Sequence, residues 1–369
     1  VKLHLADWQS FQCRSCGRCC RNSWDIQVPT EARAEIARSN AARKVRGSGY
    51  QPLTVLKTGM VVTGRKPDGA CVFLTEGNLC SIHGELGGSR KPIACQLFPY
   101  SLTATPDGYF ASLSFACPSV VADRGGDLQA NRNELEGLLE RVTAAEVPER
   151  VWLVAGRSVP WASFRLLEQA LEASYRPSEP VSSLLDLAVS VLLAVPDSDD
   201  GIDWAGLDKP RDDALEESML AMFATSVVAI WELPNHPEQR QAFSQALLAG
   251  EPLFSQRQQM TLPGFELGPI SSELLRESLA RYFRNAIFGK SLLSAPVVQR
   301  LLTLACGSAL VIYYAEAFRQ AQGAPEVNLE SLTRAFELVE SELVTHTASA
   351  DPLFATFEST LCQVYERER

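Results

Sequence analysis

Eight of the ten cysteines in this 369-residue chain lie before residue 118, and four of them fall within eight residues: Cys13-Arg-Ser-Cys16-Gly-Arg-Cys19-Cys20. The other four are Cys71, Cys80, Cys95 and Cys117. A fold containing this segment must place its thiols together or leave them as liabilities. Cys-x-x-Cys spacing lets one turn aim two sulfurs at a single ion, and Gly17 permits the left-handed backbone such a turn demands. Each of the later four sits beside turn punctuation, where backbone can present a ligand: Cys80 follows Gly77-Asn78, Cys95 lies between Pro92 and Pro99, and Cys117 precedes Pro118.

Disulfides suit small secreted scaffolds, and neither the length nor the stretch Val1 to Gln12, which lacks an apolar signal core, reads that way. Zinc on four-thiolate sites and an iron–sulfur cluster fit the donor set; soft thiolates select these over magnesium or calcium without choosing between them. The pool of expected metal ligands is Cys13, Cys16, Cys19, Cys20, Cys71, Cys80, Cys95 and Cys117, not all necessarily used. Arg14, Arg18, Arg21, Arg90 and Lys91 flank these cysteines and would offset the charge of a thiolate centre. His83, three residues after Cys80, is a weaker ligand candidate, while His4, His236 and His346 have no metal-like neighbours. Cys306 and Cys362 lie on apolar helical patterns and read as core thiols.

Charge divides where the cysteines end. Residues 1–125 hold 15 Lys/Arg against 9 Asp/Glu, a balance of +6, and the remainder carries −16. Two regions are therefore expected, a cysteine-cluster metal-binding domain over 1–125 and a helical domain over 126–369. The net charge of −10 disfavours non-specific nucleic-acid binding. The longest uncharged apolar run, Leu301 to Ala315, is shorter than the roughly 20 residues of a membrane span and reads as a buried helix. A cytoplasmic protein with no membrane partner is the expectation.

The first region predicts a helix over Pro29–Ser39, a basic, glycine-punctuated stretch over Ala42–Ser48, and short strands at Met60–Thr63, Cys71–Thr75 and Tyr109–Phe115. The second predicts helices over Asp127–Val147, Pro160–Ser174, Ser183–Val195, Asp212–Leu233, Pro237–Leu248 and Ser271–Phe288. Three more are expected over Pro296–Gln322, Asn328–Thr347 and Pro352–Glu366, with Asn328 and Asp351 as N-caps. Linkers are read at Pro177–Pro180, Asp197–Asp203 and Pro263–Pro269. The fold class is mainly α: a small irregular α+β cysteine-cluster domain followed by an all-helical one.

The Cys-x-x-Cys-x-x-Cys-Cys start resembles the cysteine-cluster family of zinc- or iron-chelating domains. The fourteen-residue gap from Cys80 to Cys95, the wording Cys80-Ser-Ile-His-Gly-Glu-Leu-Gly and the motif Leu113-Ser-Phe-Ala-Cys-Pro118 look like flagellin lysine N-methylases. Leu279-Ala-Arg-Tyr-Phe-Arg-Asn-Ala-Ile-Phe288 is a weaker echo of the same proteins. The resemblance implies protein-lysine methyl transfer, with S-adenosylmethionine as donor and an iron–sulfur cluster, a four-iron one favoured over zinc. Neither a strand–Gly-x-Gly–helix unit nor the Cys-x-x-x-Cys-x-x-Cys of radical S-adenosylmethionine enzymes is present.

An acceptor amine must be neutral to attack a methyl group, so a carboxylate or tyrosine should take its proton; Asp25, Tyr100 and Tyr282 are candidates by neighbourhood. The partner implied is a lysine-bearing protein. The alternatives are a non-catalytic metal-binding interaction module and a redox or electron-transfer protein.

Overall fold

The computed structural model describes residues 2–22, 24–142, 145–146, 149–194, 204, 207, 213–267, 270, 272–344 and 351–365. The organising element is the helix Val297–Gln322, whose residues are apolar on every side and which is buried almost throughout, with Cys306, Tyr314 and Ala315 wholly inside. A helix without a polar face needs neighbours all round. Here they are Ser183–Ala194, Asp213–Glu232, Leu329–Val339 and Asp351–Tyr365. It ends where Gly323 turns left-handed at φ 65°. Two helices, Ala214–Glu232 and Val297–Gln322, are long and apolar enough to cross a membrane, and the second has 89% of its most apolar window covered by other elements.

The helical reading of the second region holds in outline. Trp161–Ser174, Ser183–Ala194, Asp213–Glu232, Glu273–Phe288 and Val297–Gln322 lie within a residue or two of expectation. Asn328 caps Leu329–Val339, accepting from the amides of Glu330 and Ser331 while Ser331 Oγ accepts from the Asn328 amide. The helix expected over Asp127–Val147 is shorter, a 3₁₀ turn at Leu128–Asn131 followed by Arg132–Leu139, and Ala145–Glu146 is instead a strand. Two hairpins, Arg150–Val154 with Arg157–Pro160 and Leu253–Ser255 with Met260–Leu262, interrupt the helices. Their strands are too short for an alternating pattern to stand out. The Asp197–Asp203 linker and His346 lie outside the described residues.

In the first region the helix Thr30–Arg38 is found as expected, and the basic stretch after it is a second helix, Asn40–Gly47, with Ser39 Oγ capping the Ala42 amide. Val61–Thr63 pairs with Leu53–Val55, and Gly108–Leu113 pairs antiparallel with Tyr100–Thr105. Cys71–Thr75 is not a strand; isolated bridges join Cys71 to Arg65 and Leu74 to Cys80.

A four-stranded sheet sets Leu3–Leu5 parallel to Gly108–Leu113, with Tyr100–Thr105 next and Ala145–Glu146 at the far edge. The helix Glu273–Phe288 lies against this sheet. Asn285 Nδ2 donates to the Leu113 carbonyl and the Leu113 amide donates back to Asn285 Oδ1, both at 2.9 Å. Gly289 at the helix end lets Ser112 approach; a Cβ there would meet the Ser112 Cβ at 2.2 Å.

Two apolar clusters result. The larger runs from Leu3 to Tyr365 and includes Phe11, Leu102, Phe115 and Cys117. The smaller holds Val28, Ile36, Ala41, Ala42, Val45, Val72, Phe73 and Ile82. The boundary between them does not coincide with the charge and cysteine divide at residue 125.

Candidate metal centre

The Cys13–Cys20 loop leaves the short strand Ser10–Phe11, which pairs with Gly126–Asp127. Ser15 (φ 51°) and Gly17 (φ 73°) both adopt the left-handed backbone, so the loop doubles back between its cysteines before the 3₁₀ turn Arg18–Cys20. A serine pays roughly 1 kcal/mol or more for that conformation, and such residues gather at functional sites. The Cys20 carbonyl accepts the Cys71 amide at 2.7 Å, and Arg21 Nη2 donates to Asn78 Oδ1 at 2.6 Å. These bonds draw the first motif onto the turn between Cys71 and Cys80. Cys80 stands just before the helix Ser81–Leu86, Cys95 lies within Ile93–Leu97, and Cys117 just precedes Pro118–Val121.

All eight cysteines of the expected pool line one cavity of about 1510 Å³. Its wall is completed from the helical part by Tyr282, Asn285, Lys290, Arg300 and Glu340. The eight cavity cysteines are free thiols, so disulfides have no part in this arrangement. Among the described residues, no three His, Cys, Asp or Glu side chains stand at distances that would hold an ion. The thiols are gathered round one space without closing on a point.

The thiols perturb one another in two neighbourhoods. A hydrogen bond with Cys19, then burial, pushes the Cys20 thiol far up, against the opposing charges of Lys91 and Arg65. Burial raises Cys71, with Cys20 and Cys80 adding to it. Burial lifts Cys95 to about 12, with Lys91 opposing and Cys71, Cys20 and Cys80 reinforcing. Cys117 forms the second neighbourhood: burial raises it to about 11, backbone hydrogen bonds oppose, and Cys16 and Cys13 reinforce.

The residues fit zinc or iron. The donors are thiols, the ligands both metals accept. Arg65 also lines the cavity: its Nη1 donates to the carbonyls of Asn22 (2.7 Å) and Gly69 (3.2 Å), while its buried Nη2 has no hydrogen-bond partner. A buried donor costs about 1–3 kcal/mol when unsatisfied, and a thiolate beside it would supply the missing acceptor.

Other sequence candidates divide. His83, Arg14 and Lys91 line the cavity, as do Asp25, Tyr100 and Tyr282. Arg18 pairs with Glu337 at 2.8 Å and Arg90 with Glu35 at 3.5 Å. His4 stacks on Phe110 and His236 faces Glu238 on the surface. Cys306 is fully buried and Cys362 half-buried, and neither lines the cavity. Sequence reading missed Arg65, Asn285 and Glu340. Asn285 lies inside the run Leu279–Phe288 that the family resemblance singled out; Arg65 and Glu340 carry no local signal, because only the fold brings them to the thiols.

Comparison with protein families matches residues 12–118 to the CxxCxxCC family, described as "Putative zinc- or iron-chelating domain". The match covers the segment that contributes all eight cavity cysteines. No curated protein and no solved structure matches the chain.

Proposed function

We propose that the chain binds zinc or iron through thiolates drawn from Cys13, Cys16, Cys19, Cys20, Cys71, Cys80, Cys95 and Cys117, and that the cavity beside them is the active site of a protein-lysine N-methyltransferase using S-adenosylmethionine. The observation that carries this reading is the shared wall: the eight thiols and the polar residues of the helix Glu273–Phe288 face one space. The motifs resembling lysine methylases lie on both sides of it. An iron–sulfur cluster is the favoured form of the metal. Bound there, the metal would supply a Lewis-acidic or electron-transferring centre.

The reaction joins a neutral lysine amine to the methyl carbon. The N–C bond forms as the sulfonium C–S bond breaks, S-adenosylhomocysteine leaves, and the amine gives up a proton. Burial raises Tyr100 to about 12 and lifts Tyr282 well above the ordinary phenol range, so both remain neutral near pH 7 and serve as hydrogen-bonding groups. The exposed carboxylates of Asp25 and Glu134 on the same wall are then the groups placed to take the proton. A lysine-bearing protein would be steered by the acidic helical part.

Calorimetry with S-adenosylmethionine tests the reading. Metal-loaded protein should bind the donor and lose that binding once the metal is stripped. Absence of binding to the loaded protein would remove the methyl-transfer reading and leave a metal-binding module, with metal content read separately by elemental analysis.

A further inference from the structure

The helix Leu329–Val339 runs into a π-helical segment, Glu340–Val344, and two carboxylates one turn apart at this junction reach into the cysteine segment. Wide π turns inside helices occur frequently at functional sites. Glu337 Oε2 meets Arg18 Nη2 at 2.8 Å, and Arg18 lies between Cys16 and Cys19. Glu340 Oε2 accepts from Ser114 Oγ at 2.9 Å and from the Phe115 amide at 3.2 Å, and the Tyr282 hydroxyl also donates to this carboxylate. Ser114 and Phe115 open the turn that delivers Cys117, whose amide donates to the Ser114 carbonyl at 3.2 Å. Phe336, immediately before Glu337 and one turn from Glu340, packs on Phe115 and Tyr282 with ring centroids 4.9 and 5.3 Å away. One helix end thus grips the first cysteine motif and the last.

The cysteines so gripped are Cys16 and Cys117, with Cys13 on the same exposed loop as Cys16. Cys20, Cys71 and Cys80 are held by their own segment, through the Cys71 amide on the Cys20 carbonyl, the Leu74–Cys80 bridge and the Arg21–Asn78 bond, and Cys95 by its amide on the Pro92 carbonyl and by Gln96 Nε2 on the Lys91 carbonyl.

We propose that Glu340 and the Arg18–Glu337 pair are positioning residues that assemble Cys13, Cys16 and Cys117 into a metal centre separate from that of Cys20, Cys71, Cys80 and Cys95. This rests on the metal-binding reading above. The C-terminal helices then govern filling of one centre and leave the other to itself.

The test loads metal-free protein with Zn²⁺ and follows alkylation of each cysteine by mass spectrometry, with bound zinc counted by equilibrium dialysis. In the unaltered protein, zinc should shield Cys13 and Cys16, otherwise exposed, as well as Cys71, Cys80 and Cys95. In Glu340→Ala and in Arg18→Gln, a half-exposed position that keeps the fold, the shielding of Cys13 and Cys16 should weaken by about 10- to 100-fold, as loss of a ligand's supporting partner does. Cys71, Cys80 and Cys95 should stay shielded, and bound zinc should fall towards half. Glu340→Gln, which keeps an acceptor oxygen for Ser114 and Phe115, should restore the shielding. Equal shielding of both groups in all variants, or their joint loss in Arg18→Gln, overturns the inference. Failure of zinc to shield any cysteine in the unaltered protein removes the metal reading and this inference with it.

Discussion

At the scale of single residues, the cavity thiols are set for exchange of protons against metal. Cys95 at about 12 and Cys117 at about 11 are protonated at neutral pH, and Cys20 and Cys71 are raised as well. A metal that takes these sulfurs as thiolates must expel their protons. Zinc affinity should therefore fall as pH falls, by roughly tenfold per pH unit for each proton released, and binding heats should depend on the ionisation enthalpy of the buffer. Buffer-independent heats between pH 6 and 8 would mean the thiols bind already ionised. That the eight cysteines would gather round one space was legible in the sequence, since their spacing and turn residues mark it. Arg65 and Glu340 were not, because a lone Arg or Glu reads as surface until the fold shows what it faces.

Among elements, the joint between Glu273–Phe288 and the strand Gly108–Leu113 matters most for the cavity. Asn285 is 7% exposed and replaces, with one side chain, the two hydrogen bonds that a further strand would have given Leu113. Asn285→Ala would leave a buried amide and a buried carbonyl unpaired, so a loss of about 2–4 kcal/mol is expected in urea unfolding with little change in slope. A loss below 0.5 kcal/mol, on the same scale, would show that neither group depends on Asn285. The helices were legible because their apolar faces repeat over many turns. The hairpins and the helix Asn40–Gly47 were not: three to five strand residues carry too little pattern, and Lys and Arg hid the apolar side formed by Ala41, Ala42 and Val45.

Over the whole molecule, the smaller apolar cluster is a thin core of eight residues beside one that spans the chain. Metal bound next to it would supply much of its holding energy, of the order of 10 kcal/mol for structural zinc. Chelation should therefore remove amide-exchange protection from Val28 to Leu86 while Val297–Gln322 stays protected; uniform loss in both would show a single cooperative unit. The sheet adds a different consequence. Leu3–Leu5 and Tyr100–Thr105 flank the same strand, and the rings of Phe11 and Tyr100 sit 5.7 Å apart, so the chain departs for its cysteine excursion and comes home to nearly the same spot. Residues 12–99 are thus a cassette with adjacent ends, one that a short graft could replace without unthreading the sheet. Cys117, rooted in the host scaffold, would be the one cavity thiol left behind.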